Sequence, residues 1–157
     1  MARAAVPAAT IDLGDALTRS WPSARYDLVI GNPPYVRQEA IKHLKAKLKP
    51  YRVYTGTSDL YTYFYEASFN LLKPGGILAL ITSNKWMRTA YGEKLREFLL
   101  TDTALLQLID FKGKQVFEAT VDTNIVLLSK GRADPAQQLL VGSDLPGVET
   151  PLVFMPQ

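Results

Sequence analysis

Asn32, Pro33, Pro34 and Tyr35 stand in a row directly after the apolar run Leu28-Val29-Ile30-Gly31. The two prolines fix their own φ angles and carry no N–H, and the residue before the first is pushed into extended backbone. The four residues therefore predict a stiff corner that offers acceptors, the Asn32 side-chain oxygen and the Pro33 carbonyl. Two fixed acceptors match the two hydrogens of an amino group on a planar ring. Held out of the ring plane, they favour a nitrogen moving from planar toward tetrahedral, which localises its lone pair and makes it a nucleophile. Tyr35 adds a ring on which a flat heterocycle can stack. The bland reading of the same residues is a rigid turn at a strand end.

Such a corner needs a sheet behind it. The 157 residues suffice for one domain with a core, and 47% hydrophobic with 21% charged residues is ordinary for a globular chain. Short apolar strands are expected at Leu28–Gly31, Ile77–Thr82, Leu105–Phe111 and Asn124–Ser129. Helices are expected near Gln38–Leu48, Ser58–Leu72 and Ala90–Leu100. In the second helix, Leu60, Phe64, Ala67 and Leu71 share a face, Ser58 is the expected N-cap, and Pro74-Gly75, within the turn Lys73-Pro74-Gly75-Gly76, is the stop. Alternating strands and helices argue for parallel pairing. The aperiodic join from Lys112 to Thr123 argues for an antiparallel pair at one edge. An open α/β sheet places its site beyond the carboxyl ends of its strands, where Asn32 to Tyr35 fall.

Composition removes several chemistries. Without cysteine there is no disulfide, thiolate metal site or thiol nucleophile. The single histidine, His43, has no cluster around it, so neither a zinc site nor a Ser-His-Asp triad is expected; no metal is. Apolar runs such as Ile77–Ile81 are far too short for a bilayer, and the Ala-rich start lacks the core of a secretory signal. A cytoplasmic setting fits. A net charge of +3 and a pI near 9.1 are compatible with a nucleic-acid partner.

Asn-Pro-Pro-Tyr after an apolar strand resembles the hallmark of the amino-directed (adenine-N6) DNA methyltransferases of restriction–modification type. Other stretches are similar to that family: "IDLGDAL" at 11–17, "DLYTYFYEASFNLLKPGGILALITSNKWMR" at 59–88 and "FEATVDTNIVLLSK" at 117–130. The resemblance implies an α/β, Rossmann-like methyltransferase sheet, mostly parallel with an antiparallel edge hairpin and lacking its first strands. It implies S-adenosyl-L-methionine as cofactor, contacted by Asp15, Ala16, Pro34 and Phe64. Asn32, Pro33, Pro34 and Tyr35 would be catalytic, and Tyr35 with Phe117 would hold an adenine flipped out of double-stranded DNA. The amine would attack the sulfonium methyl in line, losing its proton afterwards. Asn32 stands seventeen residues after Asp15, as the family spacing requires.

One departure is large. No Gly-x-Gly cofactor loop occurs in the chain. Residues 1–10 read as a linker, 11–130 as a partial catalytic domain, and the Pro/Gly-rich 131–157 as a linker toward a target-recognition domain. The expected partners are DNA, an N-terminal cofactor segment and that recognition domain of a parent chain. Alone, the fragment is expected to be inactive. The alternatives are a protein glutamine N-methyltransferase, since a side-chain amide also presents a planar NH2, and a non-catalytic supporting module.

Residues 37–52 carry six Lys/Arg and one Glu. Lys42, Lys45 and Lys49 share a helix face in this reading, and with Arg37 they are the candidate DNA-phosphate contacts. A solvated helix face is the competing reading. The crowded Tyr51, Tyr54, Tyr61, Tyr63 and Tyr65 are expected mostly to pack.

Overall fold

The computed structural model describes residues 10–113 and 122–143, and the backbone of 153–156. Six strands form one sheet: β1 (Tyr26–Gly31), β2 (Leu72–Ser83), β3 (Thr103–Asp110), β4 (Thr123–Lys130), β5 (Gln138–Gly142) and β6 (Val153–Pro156), in the order β1-β2-β4-β3-β5-β6. β1 runs parallel to β2, and β3 to β5. β4 is antiparallel to both its neighbours, and β6 to β5. Four strands therefore point one way and two oppose them, a mixed Rossmann-like sheet with most of its strands running in one direction. The hairpin expected at an edge is present, but β4 is inserted between β2 and β3. The segment from Gly131, read as linker, adds two further strands beyond β3.

One face of the sheet is built from cross-strand pairs. Leu78 opposes Leu128, Leu80 opposes Val126, and Thr82 opposes Asn124. All six are nearly or fully buried, and each apolar member contributes about 1.5–3 kcal/mol by leaving water. Helix α2 (Leu60–Leu71) packs on β1 and β2, and α3 (Glu93–Asp102) on β3.

Helix α2 is where the pattern misled. Its buried side chains are Tyr61, Thr62, Tyr63, Tyr65, Glu66 and Ser68, while the face with Leu60, Phe64, Ala67 and Leu71 is only half-buried. Phenols can replace aliphatic groups here because each finds a partner: Tyr65 Oη lies 2.8 Å from Thr82 Oγ1, and Tyr63 Oη donates to the Thr55 carbonyl at 3.3 Å. The N-cap is Asp59, not Ser58. Ser58 is buried beside Thr55, with the two hydroxyls 2.6 Å apart.

The helix expected over Gln38–Leu48 is broken into a 3-10 turn, Lys42–Leu44, and a single-turn helix α1, Lys45–Leu48. The only apolar anchors of that stretch to reach full burial are Ile41 and Leu48, too few to hold three continuous turns against a core. The expected stop at residues 73–76 appears as a register shift inside the β1–β2 ladder. Gly75 there has φ +75°, which glycine tolerates at no steric cost.

Candidate active site

β1 ends opposite Leu80 of its parallel partner β2, and the chain turns outward into the proline corner. Pro33 is buried and roots the corner; Asn32 and Pro34 are exposed. Among the described residues, nothing hydrogen-bonds to the Asn32 amide or to the Pro33 carbonyl. The two acceptors foreseen from the sequence are thus free. The next ring is fixed: the Tyr35 hydroxyl donates to the Ile81 carbonyl at 3.4 Å, and the ring meets Tyr61 edge-on with centroids 6.3 Å apart and an 82° interplanar angle.

A cavity of about 240 Å³ opens beside Tyr35, lined by Tyr35, Arg37, Asp59, Tyr61, Ser83, Lys85 and Asp122; Asn32, Pro33 and Pro34 are not among its lining residues. Ser83 closes β2 and its Oγ accepts the Lys85 N–H at 3.4 Å. Asn84, buried, ties the neighbouring strand ends together: its N–H donates to the Asp122 carbonyl at 3.0 Å and its Nδ2 to Asp110 Oδ1 at 2.8 Å. The cavity therefore sits where the ends of β1, β2 and β4 converge. Burial pushes the Tyr35 and Tyr61 phenols above their ordinary values, so both stay protonated donors at neutral pH. Of this lining, Tyr35 and Arg37 were expected at the site. Tyr61 was named only among the tyrosines expected mostly to pack, and Asp59, Ser83, Lys85 and Asp122 were not singled out; parallel alignment of β1 with β2 would have pointed to Ser83 and Lys85.

A second, apolar cleft of about 390 Å³ lies along β1, lined by Ala16, Trp21, Leu28, Ile30, Phe64 and Leu71 among others. It brings together two of the residues expected to contact cofactor, Ala16 and Phe64. Asp15 precedes it; its Oδ1 accepts the N–H groups of Leu17 at 2.9 Å and Thr18 at 3.3 Å, capping a turn. Trp21 is held by an indole N–H bond to the Ala16 carbonyl at 3.0 Å and by the Arg19 guanidinium 4.4 Å from its ring centroid. Pro34 does not line this cleft. A wider hollow of about 490 Å³ at Leu100, Thr101 and 132–135 contains none of the candidate residues.

The lysines separate. Lys42 and Lys49 are exposed. Lys45 is committed inward, its Nζ donating to the Gly56 carbonyl at 2.7 Å and to Gln38 Oε1 at 3.4 Å. With the helix broken, the three no longer share one continuous face. Phe117 lies outside the described residues. No group of three or more metal-ligating side chains occurs among the described residues, and no helix among them is long and apolar enough to cross a membrane.

The profile of the Eco57I restriction-modification methylase family matches residues 11–117, which spans the corner, the apolar cleft's lining and β1 to β3. The chain belongs to that family. It is 37% identical over 100 residues to the type II methyltransferase M.XhoI of Xanthomonas vasicola, covering 62% of this chain and 18% of that protein. It is 33% identical over 116 residues to the type II restriction enzyme and methyltransferase RM.Eco57I of Escherichia coli, covering 70% of this chain and 12% of that one. The chain thus spans less than a fifth of the length of these relatives. A solved structure from Listeria monocytogenes, assigned to the class I S-adenosylmethionine-dependent methyltransferases, superposes with a TM-score of 0.64 at 18% identity, over 82% of this chain and 40% of that one. The Eco57I-type chain therefore has the class I methyltransferase fold.

Proposed function

We propose that this chain supplies the catalytic corner of a DNA methyltransferase acting on the exocyclic amine of adenine, with S-adenosyl-L-methionine as methyl donor. One observation carries the reading: the Asn32 amide and the Pro33 carbonyl stand unpartnered beside the fixed ring of Tyr35. In this reading Tyr35 stacks on the flipped base. Asn32 and Pro33 accept the two hydrogens of its amino group and hold the nitrogen pyramidal, with its lone pair free. Bound S-adenosylmethionine supplies an electrophilic methyl group on sulfonium. As the nitrogen–carbon bond forms and the carbon–sulfur bond breaks, the amine becomes acidic and its proton passes to solvent; no residue here need act as a strong base. Arg37 and Lys85 at the cavity, with Lys42 and Lys49 nearby in sequence, meet the phosphates on either side.

The apolar cleft suits the adenosine part of the cofactor. Its aromatic members Trp21 and Phe64 are rings on which a purine can stack, and Asp15 beside it keeps one oxygen out of the turn it caps. The cleft is open along β1, where Leu28 is 56% and Ile30 70% exposed. In M.XhoI, of which the matched segment is 18%, this edge is suited to receive the strands that bring the remaining cofactor contacts, as a recognition domain would bring the DNA sequence preference.

The test splices this chain into M.XhoI in place of the matched segment. The spliced protein and the chain alone are given labelled S-adenosylmethionine with unmethylated DNA or with glutamine-bearing peptides. N6-methyladenine in the DNA from the spliced protein, lost on Asn32→Ala, is the expected result. Label on glutamine or on cytosine, or full activity of Asn32→Ala, would overturn the proposal.

A further inference from the structure

Asp59 sits at the N-cap of α2, where a carboxylate normally bonds the first N–H groups of its own helix for about 1 kcal/mol. It makes no such bond. Its Oδ1 instead accepts the backbone N–H of Gln38 at 3.0 Å, three residues beyond Tyr35. Its Oδ2 accepts the Tyr91 hydroxyl at 3.3 Å. The Tyr91 hydroxyl lies 3.1 Å from that of Tyr61, and Tyr61 is the residue whose ring meets Tyr35 edge-on. A backbone bond, Leu60 N–H to the Val36 carbonyl at 2.9 Å, runs alongside.

The carboxylate sets the direction of this chain of bonds. It can only accept, so Tyr91 donates to it and Tyr61 donates to Tyr91. Each phenol has one hydrogen, and Tyr61 is 1% exposed, so water cannot supply a substitute acceptor. Chains of this kind polarise and stiffen one another in a dry setting. Resting on the function proposed above, we infer that Asp59 is a positioning residue for Tyr35, acting through Tyr91 and Tyr61 on one side and Gln38 on the other to hold the stacking ring at the cavity wall.

The inference separates two variants. Asp59→Asn keeps an oxygen for Gln38 but turns an NH2 toward Tyr91. Tyr91 must then donate to Tyr61, and the Tyr61 hydrogen loses its acceptor. Tyr91→Phe removes the relay while leaving the Asp59–Gln38 bond intact.

The test uses the chain itself, with ring-labelled tyrosine, the Tyr35 resonance assigned from Tyr35→Phe, and melting curves to confirm folding. The Tyr35 signal is expected to shift and narrow in Asp59→Asn and in Tyr91→Phe. It stays in place in Tyr54→Phe, whose ring neighbours Tyr63 outside the relay. Should Asp59→Asn fail to fold, Tyr91→Phe decides. An unmoved Tyr35 signal in folded Tyr91→Phe, or an equal shift in Tyr54→Phe, would overturn the relay. Absence of methyl transfer in the spliced protein would remove the proposed function and leave this result standing, so the two failures are distinct.

Discussion

Lys130 closes the end of the helix that carries Phe69: from β4 its Nζ donates to the Phe69 carbonyl at 3.0 Å and to the Leu72 carbonyl at 2.8 Å, with the ammonium 4.8 Å from the Phe69 ring centroid. The Phe69 carbonyl also accepts the Leu72 N–H that closes the last turn, and a cation there meets the negative end of the helix dipole. Burial lowers the Lys130 pKa, so the two bonds work against a desolvation cost. Lys130→Met keeps the stem and loses both bonds. It is expected to destabilise the fold by about 1–3 kcal/mol, measured by urea unfolding at neutral pH; no change in the midpoint would show that the bonds merely break even.

Gly92 has no room for a side chain. A Cβ there would overlap the carbonyl group and Cα of Trp86, which are backbone and cannot rotate away. Trp86 is itself held through its carbonyl by Arg96 Nη1, which also donates to the Thr89 carbonyl at 3.0 Å. Gly92→Ala is therefore expected to cost about 3 kcal/mol or more, seen as a large fall in melting temperature. A melting temperature within a degree or two of the parent would mean that the turn at 84–92 is looser than its contacts imply.

The corner was legible because prolines act locally: Pro33 and Pro34 restrict the backbone whatever surrounds them, and the apolar run before them could only be a strand. Cavity partners such as Asp59 were not legible. Ser58 beside it reads as the cap, and only the fold gives Asp59 that place and brings it to Gln38 and Tyr91. The buried face of α2 was misread for a related reason. Hydrophobic periodicity ranks Leu60 and Leu71 above Tyr61 and Tyr65, yet Tyr rings bury large areas once their hydroxyls are paired, and that pairing depends on Thr82 and Tyr91, far along the chain. The position of β4 inside the sheet had no local signal either, since a hairpin reads the same at an edge or in the middle.

The three lysines after the corner are predicted to differ. Lys42→Gln and Lys49→Gln, both exposed, are expected each to reduce the slope of log affinity for duplex DNA against log salt by about 0.9 if each contacts one phosphate. Melting should be unaffected. Lys45→Gln is expected to lower stability by about 1 kcal/mol through loss of its bonds to Gly56 and Gln38. Fluorescence anisotropy of labelled DNA over a salt series, with melting curves on the same samples, separates the two classes. Unchanged slopes for Lys42 and Lys49 would remove them from the DNA interface.

Alkaline pH should unfold the chain through its tyrosines. Burial raises the phenols of Tyr61 and Tyr65 and pushes Tyr63 up to about 12, whereas an unfolded tyrosine ionises near 10. Below pH 10 both states keep these protons and the stabilisation is fully present. Above it the unfolded chain releases protons that the folded chain retains, so stability falls by up to about 1.4 kcal/mol per pH unit for each phenol. Lys130 works the other way: its lowered pKa makes stability rise with pH in the window just below the ordinary lysine value. Burial raises Tyr35, Tyr51 and Tyr91 as well, so one lysine opposes six phenols and the net slope is downward. Urea unfolding at pH 8, 9, 10 and 11 is expected to show a flat region and then a steep loss. Tyr63→Phe keeps the ring against Tyr51 while removing one titrating group of six, and should flatten that loss by roughly a sixth. An identical slope in the variant would mean that Tyr63 already ionises as freely in the fold as outside it.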